Sequence, residues 1–402
     1  MEEGVVSQVL RGPLRDMFDA SQLLTDVSGS GNNWAHGHCV YGPKYKEEVL
    51  EQVRAALEVC DSPQSFFLLH SLGGGTGSGL GTYILSLLAD EHPDLYRFVT
   101  AVFPSEVDDV VTSPYNSVLA LQQLAEHADC VLPIENQALI DMVATQKKAS
   151  DDGRHPTVAP SLTTCGCLGG VARALSPPPV LLLRNTLAAN LMTNLTASMR
   201  FEGSLNVDLN EITTNLVPFP RMHFLTSSLS PISTTADIGA RSAPRRLDQM
   251  FSDAFLPSHQ LIKADPRSST YLACGLLVRG DVMVSDVQRN IDRVKRGLRM
   301  VYWNEEGFKV GLCSVAPIGQ PYSLLGLSNN CCVQVPFRRL RDRFVKLYSS
   351  KAYVSHYLDH MGGDDLLAPA LEAVNGLLDD YAACDRTVEP PEFLPGRLVV
   401  DF

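Results

Sequence analysis

Residues 66–91 read FFLLHSLGGGTGSGLGTYILSLLADE, and three local patterns follow one another in this segment. The apolar run at 66–71 predicts a strand, and only Gly, Thr and Ser occupy the positions 73–79. The segment therefore predicts a strand, a glycine loop and a helix in that order. The helix is indicated by apolar residues at helical spacing: Leu80, Ile84, Leu87 and Leu88.

A glycine loop between a strand and a helix is suited to phosphate binding. Without Cβ atoms the backbone N–H groups can approach a phosphate closely, and the helix dipole adds partial positive charge. Thr76 and Ser78 can add hydroxyl donors. Neither GxGxxG nor GxxxxGK[ST] is present, so neither the dinucleotide fold nor the P-loop is indicated. The alternative is a flexible linker, but linkers do not lie between an apolar strand and an apolar helix.

The same alternation continues along the chain. Strands are predicted at 97–104 and 130–136 with a helix at 114–127 between them, and an earlier strand is expected near 23–27. Strands that alternate with helices predict a parallel α/β sheet.

The chain divides into four predicted parts. Residues 1–180 form the α/β domain, and the Ser-, Thr-, Gly-, Lys- and Pro-rich insert at 142–180 predicts a long loop. Residues 181–200 predict a helix that is apolar on most faces and buried between domains. Residues 201–332 predict a second, α+β domain, and 333–402 predict a C-terminal hairpin of two amphipathic helices.

Composition excludes several classes of protein. The net charge is −12, with 33 Lys+Arg against 45 Asp+Glu, which disfavours a nucleic-acid binder. No segment approaches the roughly 18 apolar residues of a membrane span, and MEEGVVSQVL at the start does not resemble a signal peptide. We therefore expect a cytosolic chain whose 10 cysteines are reduced thiols. His36 and His38 lack a third metal ligand and are interpreted as loop histidines.

The loop GGGTGSG is similar to the signature loop of the tubulin/FtsZ family. Within the family the resemblance is greatest to the ε-tubulin branch, because of SGSGNNWA, FPSEVDDVVTSPYNS and a C-terminus without a glutamate-rich tail. The resemblance implies a tubulin/FtsZ-like parallel-sheet GTPase domain. Motifs along the whole chain agree: NNWAHGH (32–38), PYNS (114–117), the asparagine of IEN at 136, RFEGSLNVDLNEITTNLVPFPRMHF (200–224) and RRLDQMFSDAF (245–255).

The resemblance implies a GTP site. The glycine loop would hold the phosphates, Asn32 would lie near the γ-phosphate and Asp109 near the ribose, and two asparagines would bind the guanine edge. Asp109 could instead belong to a solvated turn. Asn185 could be a polar residue of a buried helix whose amide forms hydrogen bonds with the backbone. Glu2 matches a carboxylate near Mg²⁺. The positions implied to bind GTP are Asn32, Ser71, Gly74, Gly75, Thr76, Gly77, Asp109, Asn136 and Asn185.

Catalysis in this family is shared between subunits, which implies that Glu211 acts in trans on GTP held by a neighbour. The alternative for NVDLNE at 206–211 is a helix N-terminus capped by Asp208, and both interpretations can hold together. Two departures suggest weaker or altered nucleotide binding. Leu181 replaces the aromatic residue that stacks on guanine, and Ser113 replaces a glutamate near the ribose.

The strand and GQCGNQ loop with which tubulins begin have no counterpart here. The resemblance therefore implies that residues 1–180 are a partial GTP-binding domain that starts at an internal methionine, with an exposed apolar strand edge.

As a whole, the resemblance implies a GTP-binding cytoskeletal subunit of centrioles and basal bodies that contributes to microtubule organisation and centriole assembly. GTP or GDP and Mg²⁺ would be its cofactors, and other tubulins and centriolar proteins its partners, without nucleic acid or membrane. Expected locations are the cytoplasm, the cytoskeleton and the centrosome. The alternative is a non-catalytic assembly module with little GTP turnover.

Overall fold

The computed structural model describes residues 3–12, 15–19, 22–105, 110–152, 179–232, 246–362 and 365–386. Two β-sheets and the helices around them make up this part of the chain. The strands are β1 (Ser65–Ser71), β2 (Tyr96–Phe103), β3 (Cys130–Glu135), β4 (Leu225–Ser230), β5 (Tyr271–Arg279), β6 (Phe308–Cys313) and β7 (Ser323–Asn330). The helices are α1 (Glu3–Arg11), α2 (Gly42–Val59), α3 (Gly81–Glu91), α4 (Ser113–His127), α5 (Asn136–Asp152), α6 (Pro179–Leu195), α7 (Ala197–Arg200), α8 (Leu209–Leu216), α9 (Leu247–Ala254), α10 (Val284–Lys295), α11 (Gln334–Ser349), α12 (Val354–Leu358) and α13 (Leu367–Arg386).

The first sheet is parallel and has the order β1-β2-β3, which confirms the predicted α/β sheet. Its three strands lie within one residue of the predicted boundaries. All six residues of β3 are buried, as expected of a strand covered on both faces. In the described part of the chain β1 is an edge strand, and it leaves Phe67 36% and Leu69 52% exposed.

The early strand predicted at 23–27 is wrong, because residues 23–25 have no regular secondary structure. Asp26 is hydrogen-bonded to α2 instead. Its carboxylate accepts hydrogen bonds from Lys44 Nζ at 2.7 Å and from Tyr45 Oη at 2.5 Å. These bonds hold the segment along the helix, and they keep the pKa of Asp26 at about 2.

The loop predicted for 142–180 is wrong over its first residues, because α5 extends to Asp152. Ala138, Leu139, Met142 and Val143 are buried along one face of α5, and the following Ala, Gln and Lys residues are good helix formers that prolong it. Residues 153–178 lie outside the described part of the chain.

The second sheet has the order β4-β7-β5-β6, with antiparallel pairs except between β5 and β6. It confirms an α+β arrangement. The two sheets adjoin at β3 and β4, and Val131 N of β3 donates to His223 O, two residues before β4, at 2.9 Å. The helices α11 and α13 pack against each other and against α4, as expected of the predicted C-terminal hairpin.

The long helix α6 joins the two sheets. Its residues Leu187, Leu191 and Leu195 are buried in one core with Ile134 of the first sheet and Leu225 of the second. The predicted single helix at 181–200 is in fact α6 and α7, separated at residue 196. One side of α6 is exposed at every fourth residue, so this helix is not apolar all round: the exposed positions are Asn185, Ala189 and Thr193. None of the helices in the described ranges is long and apolar enough to cross a membrane.

Candidate functional site

The glycine loop continues into helix earlier than its sequence suggests. Residues Thr76–Leu80 form a wide helical turn that runs directly into α3. A Cβ atom on Gly75 would lie 2.4 Å from Asn33 N, and one on Gly79 would lie 2.4 Å from Trp34 O. These two glycines are therefore required for close backbone packing between the glycine loop and the preceding segment at 28–41.

Asn32 lies beside the glycine loop. Gly31 and Asn32 both have left-handed backbone, with φ of 58° and 54°. Asn is one of the few residues that tolerates this conformation. A Cβ atom on Gly74 would meet only Asn32 Oδ1, at 3.6 Å, so Gly74 faces open space next to this amide.

The hydroxyl groups of the glycine loop and its neighbours differ in how accessible they are to a ligand. Thr76 Oγ1 shares a 2.9 Å hydrogen bond with Ser30 Oγ and is half-buried. Ser78 is fully buried and donates to the carbonyl of Gly74, so the expectation that it offers a hydroxyl to a ligand is wrong. Ser71 is exposed at the end of β1, and its Oγ would lie 3.0 Å from a Cβ atom on Gly77.

Asn116 holds the two loops together, and the sequence did not single it out as a site residue. This fully buried amide donates to Asn32 O at 2.8 Å and to Gly73 O at 2.9 Å. Its oxygen accepts from Trp34 N at 2.9 Å and from Tyr357 Oη at 2.6 Å. In the sequence, Asn116 is marked only by its place in the PYNS motif at the start of α4, and this motif was used only as part of the family resemblance.

Asn136 lies at the same edge of the sheet as the glycine loop. It follows β3 directly, and in a parallel sheet the carboxyl ends of all strands meet at one edge. Glu135, the last residue of β3, holds this end of the strand in place. Its buried carboxylate accepts a hydrogen bond from Lys263 N at 2.9 Å and pairs with Arg339 Nη1 at 3.4 Å. Asn185 is exposed on α6, two residues before the buried Leu187.

Asp109, Glu2 and the side chain of Leu181 lie outside the described residues. Ser113 is fully buried as the first residue of α4. No three His, Cys, Asp or Glu side chains converge as a metal site requires within the described ranges. His38 stacks on Trp34 with ring centroids 4.3 Å apart, and burial lowers the pKa of its imidazole to about 4.

Glu211 lies far along the chain from these loops, in the first turn of α8. Asp208 caps this helix, since its Oδ1 accepts from Glu211 N at 2.7 Å, which confirms the predicted N-terminus. The carboxylate of Glu211 pairs with Lys309 Nζ on β6 at 2.6 Å and keeps 46% of its side chain exposed. The carboxylate is therefore accessible from outside the chain.

Comparisons with known proteins agree with this architecture. Residues 1–144 match the model of the tubulin/FtsZ family GTPase domain, and residues 220–342 match that of the tubulin C-terminal domain. The tubulin epsilon chains of Mus musculus and Homo sapiens are 53% and 52% identical over 393 residues, which cover 97% of this chain and 82% of theirs. The tubulin alpha-1 chain of Saccharomyces cerevisiae is 34% identical over 406 residues, 98% of this chain and 84% of its own. The chain belongs to the tubulin family.

Proposed function

We propose that the chain binds GTP or GDP at the carboxyl edge of its first sheet. The observation that carries this proposal is the open space at Gly74 beside Asn32, next to a loop whose backbone N–H groups begin a helix. Mg²⁺ would neutralise phosphate charge there. The residues that would bind the nucleotide are Asn32, Ser71, Gly74, Gly75, Thr76, Gly77, Asn136 and Asn185, with Asp109 at the ribose and Glu2 at the metal.

Hydrolysis would take place between subunits, with Glu211 acting on the nucleotide of a neighbour. Two exposed aromatic rings flank the Glu211–Lys309 pair along the chain: Phe219 follows α8 and Trp303 precedes β6. Their centroids are 5.8 Å apart, and the residues remain 43% and 44% exposed. An exposed pair of aromatic rings and an accessible carboxylate both suit contact with a second subunit.

Turnover of GTP by the chain, alone and co-assembled with a partner tubulin, tests this role. We expect Glu211→Gln to slow turnover in the assembly by about 10²-fold, because a water-orienting carboxylate is lost. Nucleotide affinity of the variant subunit should stay the same. Glu306→Gln is the matched control, since Glu306 also pairs with a lysine, Lys295, at 3.3 Å. Equal turnover by Glu211→Gln and wild type would refute the role in trans.

A non-catalytic assembly module is the second candidate. It is favoured by the 2.6 Å ion pair, because Lys309 already occupies the carboxylate that hydrolysis would need. On this alternative, wild type, Glu211→Gln and Glu306→Gln would all turn over GTP at the rate of the partner tubulin alone.

The similarity to tubulin epsilon chains supports a proposal for the cellular role. The chain would act at centrioles and basal bodies, in microtubule organisation and centriole assembly, with other tubulins and centriolar proteins as partners. A fluorescently tagged chain should accumulate at centrioles, and its depletion should reduce the number of complete centrioles. Uniform cytoplasmic fluorescence together with normal centrioles after depletion would contradict this role.

A further inference from the structure

Two arginines one helical turn apart on α11 hold the ends of two strands of the first sheet. Arg339 Nη1 pairs with the carboxylate of Glu135, the last residue of β3, at 3.4 Å. Arg343 Nη1 donates to the carbonyl of Ser105, two residues beyond the end of β2, at 3.1 Å. Residues four apart lie on the same face of a helix. One face of α11 therefore contacts both strand ends.

The contact of Arg339 with the end of β3 has two parts. The side chain of Glu135 is only 5% exposed, and a buried carboxylate is unfavourable unless it is paired and hydrogen-bonded. Arg339 supplies the opposite charge. Its Nη2 also donates to Lys263 O at 2.8 Å, while Lys263 N donates to the carboxylate at 2.9 Å. The end of β3 is thus held between α11 and the chain at residue 263.

The two strand ends are joined to each other as well as to α11. In the parallel pairing of β2 with β3, Phe103 is the register partner of Glu135. The ring of Phe103 stacks on Phe337 of α11, with centroids 5.8 Å apart. Because packed interiors transmit strain, a shift of either strand end relative to α11 displaces the other.

Asn136 follows Glu135 directly and begins α5, so its position depends on the end of β3. A binding residue must be held within about 0.5 Å of its productive geometry, and residues behind it provide this restraint. We propose that Arg339 and Arg343 are positioning residues that hold Asn136 for recognition of the guanine edge. The inference rests on the proposed function, which assigns the guanine base to Asn136.

The ratio of the Kd values of inosine triphosphate (ITP) and GTP tests this proposal. ITP lacks the 2-amino group of guanine, a donor that an asparagine oxygen can accept. One such hydrogen bond corresponds to about tenfold in Kd, so the wild type should bind GTP about tenfold more tightly than ITP. Arg339→Gln should lower this ratio to about threefold, and Arg343→Gln should lower it by at least about twofold, because the amide is no longer held in place. The Kd of ITP should change by less than about twofold in either variant.

Arg341→Gln is the matched control, because Arg341 lies on the same helix and pairs with Asp342 at 2.7 Å. The ratio is independent of the folded fraction of a variant, since both nucleotides bind the same folded population. Arg343→Gln leaves the pair between Glu135 and Arg339 intact, so it keeps the test valid if Arg339→Gln does not fold.

The outcomes separate this inference from the proposed function. If the wild type does not bind GTP, the proposed nucleotide site is wrong, and the positioning role is wrong with it. Three results would overturn the positioning role alone while the wild type binds GTP. These are equal Kd values of GTP and ITP in the wild type, a ratio that is the same in all three arginine variants, and an equal loss of affinity for both nucleotides.

Discussion

Asn116→Leu tests whether one buried amide holds the two loops of the candidate nucleotide site. Leucine has the same branching as asparagine but forms no hydrogen bond, and because it is larger, it overfills the site and leaves no space for water. Trp34 N–H and Gly73 O then lose the partners described above, whereas Tyr357 Oη keeps Thr112 O at 3.4 Å. Each buried polar group left unpaired costs about 1–3 kcal/mol, so we expect a loss of roughly 3 kcal/mol.

Hydrogen exchange measured by mass spectrometry locates this loss. Since 1.4 kcal/mol corresponds to a factor of ten, amides of the segments at 28–37 and 72–80 should exchange about 10²-fold faster than in wild type. Trp34 N–H is the most direct reporter, because it donates to Asn116 itself. GTP affinity should fall as well, because Asn32 and Gly74 would no longer be held together.

Ser117→Ala is the matched control on the next residue of α4. Its hydroxyl makes a single buried bond, to Leu72 O at 3.1 Å, so its loss should cost only about 1 kcal/mol. If Asn116→Leu leaves exchange in both segments within the range of the control, the reasoning that this amide joins the loops is refuted.

Three further predictions follow from other contacts. Thr76→Val should weaken GTP binding by about 1–3 kcal/mol by removing a hydroxyl near charged phosphate, and an unchanged Kd in a filter-binding assay would exclude Thr76 from the site. Asp208→Ala should lower the free energy of unfolding by about 1 kcal/mol through the lost cap on Glu211 N, as a shift of the denaturation midpoint would report. Burial lowers the pKa of His38 and His70 to about 4, against 6.5 for a free imidazole. The unfolded chain therefore binds more protons between these values, so stability should fall as the pH drops from 6.5 towards 4, and His70→Gln should reduce the difference in melting temperature between pH 7 and pH 5.

Secondary structure could be predicted from the sequence wherever buried residues recur at a regular, short spacing. The strands β1, β2 and β3 alternate with helices whose apolar residues recur at helical spacing, so the parallel sheet could be predicted almost to the residue. The cap at Asp208 was equally predictable, because it joins positions three residues apart. The family's motifs supplied the candidate site residues, and this information came from resemblance rather than from physical pattern.

Contacts between distant parts of the chain could not be predicted in this way. The sequence around Gly75 does not indicate that this residue packs against Asn33. Likewise, the sequence around Ser78 does not indicate that its hydroxyl is buried within its own turn. Asn116 and Tyr357 are 241 positions apart, and their bond exists only because α12 packs over the start of α4.

The strand predicted at 23–27 shows the same limit. Its residues suit a strand, but the carboxylate of Asp26 is held by Lys44 and Tyr45, so the segment follows α2. Arg200 at the end of α7 and Arg279 at the end of β5 likewise both lie over the Phe201 ring, and they meet only in the folded chain. Periodicity reports which side of an element is buried, whereas the partner that buries it is set by packing across the whole chain.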